Sequence, residues 1–172
     1  PGGSPESVAA ALDRLLAAER PIIVAGGGTV ASGAFAELQA LAERLAIPVL
    51  TSLAGRGSIP DDHPLSVGGL GCHRNPLSKR LLPDADVVLG LGTRFEEMET
   101  NWRPGFVPSP DACYIQVDTD PGELGRSVVP EIGIVGDVRL VLADMLKLLD
   151  ERGHKPKGKF TARPRVKQAV KA

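Results

Sequence analysis

Residues 21–31 read PIIVAGGGTVA, and the fold follows from them. Five residues without a charge, three of them β-branched, run straight into Gly26, Gly27 and Gly28. An aliphatic run with no polar alternation predicts a strand buried on both faces, which is the position of a strand in a parallel sheet covered by helices. The glycines permit an abrupt turn from strand to helix. Gly26 to Ala31 also fits G-x-G-x-x-A, the phosphate-binding turn of a dinucleotide fold. That fingerprint needs an acidic residue about 20 positions further on, where Thr51 and Ser52 stand instead. A nicotinamide site is therefore disfavoured, and the same glycines suit a plain tight turn.

Working outward, Ser4 and Pro5 fit a helix cap and first position, and Val8, Leu12, Leu15 and Leu16 recur at helical spacing. A helix is predicted over 5–18. After the glycines, Ser32 is suited to cap a helix whose Phe35, Leu38, Leu41, Ala42 and Leu45 form one apolar face, and 47–51 reads as a second strand. Residues 52–75 have no sustained period and read as one long loop. Loops longer than about 12–15 residues in compact domains are usually functional or disordered, so this is the first place to seek a ligand. A short helix is predicted over 76–82, followed by strands at 87–91, 113–117 and 132–135. Asp137 is placed to cap a last helix that turns Leu140, Val141, Met145, Leu148 and Leu149 inward and stops at Gly153. Strand–helix alternation with continuous aliphatic strands predicts the α/β class: a doubly wound parallel sheet of five to six strands with helices on both faces, Rossmann-like and of the FAD/NAD-binding type. Such sheets bind ligands outside the carboxyl ends of their strands.

Composition agrees with one soluble domain. Of 172 residues 42% are hydrophobic, 24% charged and only 3% aromatic. No apolar run approaches the roughly 18 residues a bilayer requires, and the start has no signal-peptide pattern, so a cytoplasmic protein without a membrane partner is expected. Cys72 and Cys113, with His63, His73 and His154, show neither metal-ligand spacing nor a disulfide framework. The net charge of −1 hides an asymmetry: residues 1–150 hold 12 Lys/Arg against 20 Asp/Glu, and residues 151–172 hold 8 against 1. A domain over 1–153 followed by a basic linker or tail over 154–172 is expected. The acidic body and the single aromatic of the tail, Phe160, argue against a nucleic-acid partner.

No G-x-S-x-G elbow, phosphate loop or H-E-x-x-H pair is present, so no catalytic residues and no metal ligands are assigned. Arg94, just past a buried strand, suits either a phosphate or an ion pair with Glu96, Glu97 or Glu99. His63, in Asp-Asp-His-Pro, suits a turn cap.

Taken in order, RPIIVAGGGTVASGAFAELQALAERLAIPVLTSLAGRGSIPDDHPLSVGGLGCH, ADVVLGLGTRF and IQVDTDPGELGRSVVPEIGIVGDV resemble the central domain of thiamine diphosphate-dependent enzymes of the acetolactate synthase type. The resemblance runs from about residue 5 to residue 149. It implies an excised middle domain, inactive alone, of a 2-oxo acid decarboxylase or carboligase, a lyase or transferase. Thiamine diphosphate and Mg2+ would be held by a pyrimidine-binding and a pyrophosphate-binding domain of the same parent chain, itself a homo-oligomer. The family's middle domain carries FAD in acetolactate synthases and an ADP-like nucleotide or nothing elsewhere. Carried over by position, the cofactor-binding residues implied are Gly27, Ser52, Leu53, Gly55, Leu70, Gly71, His73, Gly92, Arg94, Phe95, Asp118 and Asp137. Two departures stand out. The family's R-F-D-D-R is Arg94-Phe95-Glu96-Glu97-Met98 here, and the residues flanking the loop histidine are Cys72 and Arg74. The alternative is a free-standing nucleotide-binding module, sirtuin-like or of the electron-transfer type.

Overall fold

A computed structural model describes residues 1–100, 106, 108–109 and 111–155. The chain runs α1 (Pro5–Ala17), β1 (Pro21–Ala25), α2 (Gly27–Ala31), α3 (Phe35–Leu45), β2 (Val49–Thr51), β3 (Ser66–Gly69), α4 (Pro76–Leu81), β4 (Val87–Leu91), α5 (Glu97–Thr100), β5 (Cys113–Asp118), β6 (Ile132–Val135) and α6 (Val138–Glu151), with 3-10 turns at Gly71–His73 and Pro121–Glu123. The six strands form one sheet in the order β3-β2-β1-β4-β5-β6. Every pairing is parallel, with Ile23 between Val49 and Leu89, and Ile115 between Leu89 and Ile132. This is the doubly wound order in which the chain leaves β1 in one direction and returns to β4 on its other side, creating a crevice at that switch point.

β1 and β4 are buried along their whole length because both faces are covered. On one face Ile23, Val49, Leu89, Val117 and Ile134 pack under α1, α3 and α6, which contribute Leu12, Leu15, Leu38, Leu41, Val141 and Met145. On the other, Ile22, Val24, Leu50 and Val88 meet Leu81, Leu82, Phe95 and Tyr114. The period-2 alternation of strand side chains divides the same strands between two cores. Among the described residues no helix is long and apolar enough to cross a membrane, and both cysteines are free.

Three local expectations are corrected. Ser32 does not cap the helix after the glycines. It ends α2, its hydroxyl donating to the Thr29 carbonyl at 3.2 Å, and Gly33 with φ +65 reverses the chain before α3 begins at Phe35. Phe35 consequently points outward at 44% exposure, and Ala34 takes the buried position. Residues 52–75 are not one unstructured loop. Ser66–Gly69 adds a strand beside β2, with a register shift between the paired residues Val49 and Thr51. Its sequence, Ser-Val-Gly-Gly, is too short and too glycine-rich to show a period, and the open edge of β2 recruits it. Leu140 is 41% exposed rather than inward, lying one position before the buried pair Val141 and Leu142. Asp137 caps α6 as expected, its Oδ1 accepting from the Leu140 amide at 3.1 Å. The tail expectation falls, from residue 156 onward, outside the described residues. At its start, Arg44 of α3 donates to the His154 carbonyl at 2.7 and 2.9 Å and to Asp150 at 2.6 Å, tying the end of α6 to the body.

Candidate functional site

The carboxyl ends of β1, β2 and β4 converge because parallel strands all point the same way. Backbone bonds knit these ends together: Gly26 donates to the Leu91 carbonyl at 2.8 Å, Gly28 to Gly92 at 3.0 Å, Ser52 to Ala25 at 2.9 Å and Gly92 to Val117 at 2.8 Å. Approach this close leaves no room for side chains. A Cβ on Gly92 would stand 2.5 Å from the Gly28 Cα, and Gly92 also has φ +53. A Cβ on Gly55 would stand 2.0 Å from the Ala25 carbonyl oxygen.

Two adjoining hollows open on this edge. The first, of about 330 Å³, lies at the switch point and is lined by Gly27, Gly28, Ser52, Ala54, Gly92, Thr93, Arg94, Glu96 and Glu99. The second, of about 250 Å³, lies over β2 and β3 and is lined by residues including Ser52, Leu53, Arg56, Asp61, His73 and Asn75. Of the residues singled out in the sequence, Gly27, Ser52, Gly92 and Arg94 meet in the first, Ser52, Leu53 and His73 meet in the second, and Ser52 bridges the two.

The other singled-out residues stand elsewhere. Phe95 is fully buried, its ring edge-on to Tyr114 at 5.7 Å between centroids, while its backbone sits at φ 50. A left-handed conformation in a non-glycine residue costs about 1–2 kcal/mol, and the buried ring holds it there. Leu70 is likewise in the core and Gly71 is buried with φ +64. Asp118 lies at the end of β5, its Oδ1 accepting from the Asp120 amide at 3.0 Å, and Asp137 is the cap of α6. Neither lines either hollow. His63 accepts from the Leu65 amide at 3.1 Å through Nδ1 and meets Glu43 at 3.0 Å through Nε2, a turn cap tied to α3.

The electrostatics of the first hollow are set by three charged side chains. Arg94 is exposed and pairs with Glu96 at 3.3 Å and with Glu123 at 3.6 Å. The Glu96 hydrogen bond and the charge of Glu123 hold its guanidinium above its ordinary value. Glu99 is half-buried, and its Oε2 accepts from the Thr93 hydroxyl at 2.9 Å. Burial pushes the Glu99 carboxyl above its usual range, while hydrogen bonds from Thr93 and Ser52 pull it back. In the sequence Glu99 stands out only as a candidate partner of Arg94. Nothing in the sequence places it opposite the glycine turn.

A third hollow, of about 530 Å³, lies at the opposite, amino edge of the sheet, lined by Arg20, Asp84, Asp86 and Asp111 among others. The Asp86 carboxylate there accepts from the Glu19 and Arg20 amides at 2.7 and 2.8 Å. Among the described residues no group of three or more His, Cys, Asp or Glu side chains is arranged to hold a metal ion.

Comparison with known proteins agrees with this architecture. Residues 8–145 match the family model described as thiamine pyrophosphate enzyme, central domain. The chain is 41% identical over 147 residues to a probable acetolactate synthase large subunit of Methanocaldococcus jannaschii, covering 86% of this chain and 24% of that protein. It is 37% identical over 147 residues to the acetolactate synthase isozyme 3 large subunit of Escherichia coli K12, covering 85% of this chain and 25% of that protein. The chain thus spans about a quarter of the length of these relatives. Parallel sheet, glycine-lined switch point and sequence match coincide over the same residues, and the chain belongs to the central-domain family of thiamine pyrophosphate enzymes.

Proposed function

We propose that this chain is the scaffolding central domain of a larger thiamine diphosphate-dependent enzyme that decarboxylates or joins 2-oxo acids, and that it does no chemistry alone. The observation that carries this reading is the pairing of a complete two-sided core with a match spanning only about a quarter of each relative. In such an enzyme the thiamine cofactor supplies the carbanion-stabilising chemistry and the protein supplies position and surroundings. In this reading Mg2+ and the diphosphate of thiamine diphosphate are held by other domains of the parent, not by this one. The parent is proposed to be a cytoplasmic homo-oligomer, with its pyrimidine- and pyrophosphate-binding domains as this domain's partners.

FAD or ADP, the ligands a middle domain of this type would hold, fit poorly here. A diphosphate requires unengaged backbone amides or cations, yet the amides of Gly26 and Gly28 already donate to carbonyls and Arg94 already faces two carboxylates.

The reading is tested by assaying the purified chain with pyruvate, thiamine diphosphate and Mg2+. Carbon dioxide release at the buffer rate and no heat of thiamine diphosphate binding by calorimetry are expected. Turnover above the buffer rate would overturn it.

A further inference from the structure

The switch-point crevice has the strand order of a dinucleotide-binding sheet and the wrong charge for a dinucleotide. Glu99 is the reason. It sits on α5, the next element after β4, and the buried Thr93 hydroxyl beyond β4 donates to its carboxylate at 2.9 Å, while the buried Ser52 beyond β2 lines the same hollow. Opposite stand Gly27 and Gly28, the turn where phosphates would lie in a sheet of this order. We propose that Glu99 is a specificity-determining residue that places a fixed negative charge in the crevice and so rejects the diphosphate of a nucleotide.

Three observations support one another. The lining has one cation, Arg94, against two carboxylates, Glu96 and Glu99, and that cation is already paired with Glu96 and Glu123. Of the two turn glycines that line the crevice, Gly28 has its amide bonded to the Gly92 carbonyl, and the amide of Gly26 beside them is bonded to Leu91. Glu99 itself is partly desolvated, so a second anion beside it would be poorly screened. Like charges brought together in a half-buried space oppose binding strongly, which is how sites reject a wrong ligand. An uncharged adenosine group meets no such barrier.

The inference concerns the crevice alone, so its failure leaves the scaffold reading standing. The test is calorimetric titration of the whole chain and of Glu99→Gln and Glu99→Val with ADP, with adenosine as the uncharged control and thermal melts confirming that each variant is folded. Glu99→Gln keeps the shape and an oxygen that can still accept from the Thr93 hydroxyl, and removes the charge. Both variants are expected to bind ADP roughly tenfold more tightly than the wild type, or better, with adenosine binding unchanged. Three results would overturn the proposal: wild type binding ADP as well as Glu99→Gln does, neither variant gaining, or a gain confined to Glu99→Val, which would make bulk rather than charge the barrier.

Discussion

At the residue scale, Gly92 and Glu99 make opposite kinds of demand. Gly92 is required by the backbone: φ +53 and the 2.5 Å approach of any Cβ to Gly28 both exclude a side chain. Gly92→Ala should therefore destabilise the fold by about 2 kcal/mol or more, read as a shift in the urea midpoint with unchanged slope. A loss below about 0.5 kcal/mol would mean that the Gly28 turn moves aside. Glu99 tolerates change, because burial makes its ionised form costly. Its carboxyl titrates higher in the folded chain than in the unfolded one. The folded state therefore binds more protons between those two values, the penalty is absent below the unfolded value of about 4.3, and it develops as pH rises through the folded value. Glu99→Gln should gain stability relative to wild type between pH 4 and pH 7. Parallel thermal melts at the two pH values check the sign, and a relative loss toward neutral pH would show that the hydroxyl bonds to the carboxylate outweigh its desolvation.

At the element scale, the carboxyl ends of the strands are joined by one buried amide. Gln116, on β5, donates through Nε2 to the Thr93 carbonyl at 3.2 Å and to the Glu123 carbonyl at 3.1 Å, and its Oε1 accepts from the Gly125 amide at 3.1 Å. These bonds tie the segment after β4 to the turn after β5, which together hold Thr93, Arg94 and the Glu123 that pairs with Arg94. Gln116→Leu fills the same space but leaves these backbone groups without partners, and should cost about 1–3 kcal/mol. It should also loosen the Arg94 rim, seen as faster hydrogen exchange over residues 119–126. Normal exchange with full stability would show that water replaces the amide. Elements differ in how plainly they announce themselves. The strand at 87–91 is an uncharged, almost wholly aliphatic run, the one at 113–117 is uncharged and mostly apolar, and α6 repeats its apolar residues at helical spacing, so each is legible locally. The strand Ser66–Gly69 carries no such pattern and exists because β2 offers an unpaired edge.

At the scale of the whole molecule, the amino-terminal helix is part of the core. Val8, Ala11, Leu12 and Leu15 are buried against the face shared with α6, and the Pro1 carbonyl accepts from the Asp137 amide at 3.0 Å. Burying one Leu or Val stabilises by about 1.5–3 kcal/mol, and a domain's whole stability is about 5–15 kcal/mol. Deleting residues 1–18 should therefore abolish cooperative thermal unfolding followed by circular dichroism. A truncated chain that melts cooperatively within a few degrees of the full one would place the domain boundary after α1. The family match begins only at residue 8, inside this helix, so sequence similarity alone would draw the boundary too late.

The parallel sheet, its helical cover and the glycine turn were determined by the sequence alone. Their signals are local: uncharged strands must be buried on both faces, and three glycines mark a turn too tight for side chains. Much of the candidate site was legible for the same reason, since Gly27, Ser52, Gly92 and Arg94 each follow a recognisable strand. What only the tertiary structure decided depends on neighbours distant in the chain. Phe95 faces the core because Tyr114 lies beside it, and Arg94 is neutralised partly by Glu123, which arrives from the far side of β5. Glu99 guards the crevice because the β1–β4 crossing sets it opposite Gly27 and Gly28, residues some seventy positions earlier whose nearness is fixed by strand order and by no local pattern.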